Sequence, residues 1–80
     1  MVEDIKAKIQ ERLPDAIIQV MDPNQDGEHF QAVVICKSFE GLSLVKQHKM
    51  VMNALKEEFK EKVHALALKT FTPDQYDNLN

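Results

Sequence analysis

The chain has 80 residues and a formal net charge of −3, with 44% hydrophobic residues, two glycines, three prolines and one cysteine. That length allows one small domain and the composition is that of an ordered globular fold, while a single cysteine excludes an internal disulfide or a cysteine-only metal cage and fits a reducing, cytoplasmic setting. The acidic, amphipathic start has neither a secretory nor a transit signature, no window approaches a membrane span, and the charge balance argues against a simple phosphate-binding surface.

Val2, Ile5, Ile9 and Leu13 recur at helical steps, with Glu3 and Asp4 in the first turn, so residues 2–13 are predicted to form an amphipathic helix ended by Pro14. The β-branched run 16–21, AIIQVM, predicts a strand, and DPNQDGE after it is turn chemistry with Asp26-Gly27 at the tip. A second run of strand formers, HFQAVVICKSF, makes an antiparallel hairpin the simplest connection. Beyond EGLS, Leu44, His48, Val51, Leu55 and Phe59, supplemented by Val45 and Met52, form the apolar stripe expected of the longest helix. VHALALKTF then alternates, with His64, Leu66 and Leu68 on one face and Ala65, Ala67 and Lys69 on the other, as in a third strand. Thr72, Pro73 and Gln75 fit the N-cap, N1 and N3 positions of a final short helix. The order αββαβα predicts one α+β domain over residues 1–80, a two-layer sandwich with helices on one face of a three-stranded sheet.

No glycine-rich phosphate loop, nucleophile elbow or paired carboxylates are present, so no enzyme is expected. His29, Cys36, His48 and His64 remain as side chains able to form a site. His48 lies on the apolar stripe and reads as a packing residue, and Cys36 reads as a small core residue. His29, beside the turn, should be exposed. His64 stands where the edge of a core meets solvent, and position alone leaves packing and ligation open. If strands two and three run parallel, His29 and His64 share one end of the sheet. Imidazole suits zinc, copper and iron, yet two ligands, or three with Cys36, cannot close a structural zinc site, so any metal needs donors from a partner. Lys46, Lys49, Lys56 and Lys60 line the outer side of the long helix with Glu57, Glu58 and Glu61 interleaved, which is the pattern of a solvated face. Neither glycine belongs to the GXXG loop of RNA-binding KH domains.

The segments HFQAVVICKSFEGLSLVKQHKMV and VHALALKTFTPDQY together resemble the BolA family over nearly the whole chain. The match rests on Phe39-Glu40-Gly41, His48, His64-Ala65-Leu66 and Thr72-Pro73 in that order. Gln47 and Lys49 depart from it where arginines are common, and Cys36 departs where serine is usual. The resemblance implies a class II KH-like fold of order αββα(α)βα. It also implies a monothiol glutaredoxin as partner and a bridged [2Fe-2S] cluster, shared with glutaredoxin and glutathione and absent from the isolated chain, for iron-sulfur maturation or iron and redox regulation. His64 and His29 are the implied ligands, with Cys36 as the less favoured alternative. The loop contains no thiol, so the chain is similar to the histidine-loop kind. The alternative it implies is a DNA-binding transcriptional regulator, contacting DNA through Lys46, Lys49 and Lys56. No membrane contact is expected, and a homodimer of the free protein stays open.

Overall fold

A computed structural model describes residues 2–56 and 65–79. Its elements are α1 (Val2–Arg12), β1 (Ile17–Met21), β2 (Phe30–Ile35), a 3-10 turn (Lys37–Phe39), α2 (Leu44–Leu55), β3 (Leu66–Phe71) and α3 (Pro73–Asp77). Phe59, Lys60, His64 and the acids Glu57, Glu58 and Glu61 lie outside the described residues, as does the bracketed helix of the implied order.

The first helix forms as its pattern predicts, with Ile5 and Ile9 buried and Glu3 and Asp4 in the first turn. Gln10 reaches past its end to donate to the carbonyls of Leu13, Pro14 and Ala16 at 3.2, 2.9 and 3.1 Å, so the carbonyls around Pro14 are not left bare. Strand β1 pairs antiparallel with β2, Ile17 opposite Ile35 and Met21 opposite Gln31. Strand β3 pairs parallel with β2 on its other side, Phe30 opposite Leu66 and Ile35 opposite Phe71. The sheet order is therefore β1-β2-β3, and the strand starts of β2 and β3 meet at one end.

Alternation along the strands makes two different faces. Ile18, Val20, Phe30, Ala32 and Val34 join Ile5, Ile9, Leu13, Phe39, Val51 and Leu55 in one core, against which Leu66 and Leu68 pack. Both long helices contribute to that core. The opposite face carries the aligned row Ile17, Ile35 and Phe71, where Tyr76 of α3 meets Phe71 edge-on at 5.7 Å between ring centroids. The capping box of α3 is complete: Gln75 N–H donates to Thr72 Oγ1 at 3.1 Å and Thr72 N–H donates to Gln75 Oε1 at 2.9 Å.

Two expectations need correction. The second strand does not run on to Phe39; it stops at Ile35, and the 3-10 turn swings Phe39 inward to complete burial. The stripe on α2 is also phased differently. Its buried residues are Gln47, Val51 and Leu55, whereas Leu44 and Val45 are 59% and 64% exposed. Leu44 shares the angular position of Val51 to within about 20°, so period alone cannot separate a core residue from one in the exposed first turn.

Gln47 can face inward because its amide is fully used. Its Oε1 accepts from Thr70 Oγ1 at 2.8 Å and its Nε2 donates to the Leu42 carbonyl at 3.0 Å, tying α2 to β3. Gln47→Leu is expected to cost ~1–3 kcal/mol, because the Thr70 hydroxyl then lacks its acceptor in a buried position. Adding Thr70→Val should recover part of that loss. Urea unfolding of the two single variants and the double variant measures the coupling, and strict additivity would deny that the bond matters.

Candidate metal centre at one end of the sheet

The loop 22–29 is organised by two aspartates. Asp22 accepts from the backbone N–H groups of Asp26 and Gly27 at 3.3 and 3.0 Å. Asp26 Oδ1 accepts from those of Glu28 and His29 at 2.9 and 3.1 Å. These short-range bonds are the usual way Asp builds a turn, and Gly27 supplies the positive φ of 67° that the turn requires. The sequence indicated the turn and its tip; the double brace is added by the structure.

The second oxygen of Asp26 faces the His29 ring, with Oδ2 and Nδ1 2.8 Å apart. The His29 side chain is 63% exposed. Backbone donation from Glu28 above all, then the His29 ring and the His29 N–H, hold the Asp26 carboxyl well below the usual carboxylate range. The same contact, first as a hydrogen bond and then as charge attraction, raises the His29 pKa above its ordinary value. An NMR titration of His29 is therefore expected to show a midpoint above 6.5, falling back toward it in Asp26→Asn. Since the folded value is the higher one, this contact favours the folded state below about pH 6.5, and its contribution is lost as pH rises through the folded midpoint. An unshifted midpoint in the unsubstituted chain would deny the contact in solution.

Asp26, Glu28 and His29 offer ligand atoms within 4.8 Å of one another, all exposed, an arrangement that also occurs on surfaces without an ion. His29 precedes Phe30, and Phe30 pairs with Leu66, so the end of this loop and the entry to β3 belong to the same sheet end. His64 lies outside the described residues, two positions before Leu66, which is at most about 7 Å of chain. Cys36 is elsewhere: it follows the opposite end of β2, roughly 20 Å of strand from His29, and is only 2% exposed. Its N–H donates to the Phe71 carbonyl at 3.0 Å, which continues the parallel ladder. Cys36 is thus a core residue and not an alternative partner for His29, because the strand between them holds them apart. His48 is half-buried on α2, in keeping with a packing role. Lys46, Lys49 and Lys56 are exposed.

One exposed imidazole with its Nδ1 engaged and, among the described residues, no hydrogen bond at its Nε2 fits the donor set of a metal group completed by another molecule. Among the described residues no helix is long and apolar enough to cross a membrane.

A family model described as BolA-like protein matches residues 6–75. The chain is 34% identical over 79 residues to BolA-like protein 1 of Homo sapiens, a match covering 90% of this chain and 58% of that longer protein. It is 27% identical over 88 residues to the DNA-binding transcriptional regulator BolA of Vibrio cholerae, covering 100% of this chain and 83% of the relative. Among solved structures, a bolA protein homologue from Coxiella burnetii superposes with a TM-score of 0.79 at 40% identity, covering 96% of both chains.

Proposed function

The chain belongs to the BolA-like protein family, and from that premise we propose that it is a partner of a monothiol glutaredoxin, sharing a [2Fe-2S] cluster for iron-sulfur maturation or iron and redox regulation. The observation that carries this reading is the exposed His29 at the sheet end where β2 and β3 start together. His64 and His29 would be the ligands from this chain, and the partner with its glutathione would supply the rest. Imidazole in place of thiolate reduces the negative charge at one iron and raises the reduction potential. The chain's own part would be to offer His29 beside the sheet end where β2 and β3 start, with His64 two positions before Leu66 in sequence, and to leave the other half of the coordination sphere to the partner.

The test is reconstitution with iron, sulfide, glutathione and a monothiol glutaredoxin, followed by absorption and circular dichroism, with iron counted in the complex. The expected result is a heterodimer with a cluster spectrum distinct from that of glutaredoxin alone. A mixture whose spectrum is the sum of its parts, with no complex on gel filtration, would overturn the reading.

A second reading, DNA-binding regulation, is favoured by the exposed Lys46, Lys49 and Lys56 on or next to an acid-free helix and by the similarity to the DNA-binding transcriptional regulator BolA of Vibrio cholerae. Three lysines neutralise few phosphates, so duplex binding should be weak and fall steeply with salt. Tight, sequence-selective binding at physiological salt, lost in Lys46→Ala or Lys49→Ala, would put this reading first.

A further inference from the structure

We propose that Asp26 is the positioning residue of this site: it holds neutral His29 with its proton on Nδ1 and so reserves Nε2 as the iron donor. This rests on the cluster-sharing reading and adds a residue and an atom to it. The geometry assigns the polarity. Asp26 Oδ1 is occupied by the N–H groups of Glu28 and His29, so Oδ2 is the oxygen left facing the ring, 2.8 Å from Nδ1. A carboxylate oxygen can only accept, and Nδ1 must therefore carry the hydrogen. An unrestrained imidazole in water favours the opposite tautomer, with the proton on Nε2, so the loop reverses the default. Asp22 supports the arrangement from behind by fixing the backbone N–H groups of Asp26 and Gly27. The ring nitrogen that a metal uses is set by the bond the other nitrogen makes. On this loop that bond comes from a side chain three residues away and not from the partner.

Asp26→Asn separates this role from simple support of the turn. The amide oxygen can still accept from Glu28 and His29 N–H, which keeps the turn and fixes the amide, while its nitrogen replaces Oδ2 and donates to Nδ1. The proton of neutral His29 is then driven to Nε2, the atom reserved for iron. Two measurements follow on the full chain. Long-range nitrogen-proton NMR of the free protein, well above the His29 midpoint, should show the Nδ1-protonated form dominant in the unsubstituted chain and the Nε2-protonated form dominant in Asp26→Asn. Backbone shifts of residues 22–29 serve as the check that the turn is kept. Pulsed EPR of the reduced cluster, with the histidines of this chain labelled with nitrogen-15, should show two coupled imidazoles in the unsubstituted complex. In Asp26→Asn the coupling assigned to His29 should be lost or shifted, and cluster retention against a chelator should fall about 10- to 100-fold.

A free protein with Nε2 protonated in the unsubstituted chain overturns the inference whatever the cluster does. An unchanged His29 coupling in Asp26→Asn overturns it while leaving the shared-cluster reading intact. If the tautomers reverse as expected but the unsubstituted complex shows no imidazole coupling, the functional reading fails, and the iron-directing role of Asp26 fails with it.

Discussion

His64→Ala is expected to abolish the reconstituted cluster or to reduce its occupancy more than about a hundredfold, a larger effect than loss of an outer-shell partner. Nothing else in the sequence between Lys56 and Leu66 offers an imidazole or a thiol. His29→Ala should be milder, weakening the cluster and altering its spectrum. Its loop retains the carboxylates of Asp26 and Glu28, whose oxygens lie within the same 4.8 Å group and can occupy the vacated position, though as harder donors less suited to iron-sulfide chemistry. Cys36→Ser should leave the cluster spectrum unchanged, because that sulfur is buried beyond the far end of β2. Association with apo-glutaredoxin should survive all three changes, with folding verified by far-UV circular dichroism. A retained spectrum in well-folded His64→Ala, combined with its loss in Cys36→Ser, would return His64 to a packing role.

Leu55→Ala is expected to cost ~2–5 kcal/mol, the range for emptying a large aliphatic site in a core that relaxes only partly. Leu55 is 1% exposed and belongs to the cluster that joins α1, α2 and the sheet. In a domain of this size the loss corresponds to a fall in Tm of at least about 8 °C. Leu44→Ala gives the contrast. It has the same chemistry on the same helix, yet 59% of the residue is exposed, so its effect should stay within about 0.5 kcal/mol. Equal costs for the two variants, measured by urea unfolding, would show that α2 does not bury the face described.

The contrast between these leucines marks how far the sequence could be read. Element order followed from periodicity and capping, since Pro14, Asp26-Gly27 and Thr72-Pro73 each leave few local conformations open. The sequence leaves the parallel pairing as a condition, because a long crossover allows it without requiring it, and the β2-β3 register shows it. The inward turn of Gln47 did not follow, although Gln47, Val51 and Leu55 stand at four-residue steps. A polar residue reads as outward until its distant acceptor is known, and Thr70 is 23 positions away. Similarly, His29 could be named as an exposed imidazole, but the atom it offers depends on Asp26 Oδ2, a matter of side-chain geometry that spacing does not encode. Cys36 is the converse case: it is near His29 in sequence, and the extended strand between them carries it past the far end of β2.

The parallel pairing of β2 with β3 also sets an order of assembly. The β1-β2 ladder needs closure of only the short loop 22–29, whereas pairing β3 requires residues 36–65 to be brought round first. Non-local pairings of this kind carry the larger entropic barrier and form late. Strand β2 gains its second neighbour only at that step, and the sheet end with His29 is completed with it. A partner that holds both the loop and the entry to β3 would therefore close the longest loop in the fold, and by mass action its binding would draw the chain toward the native state.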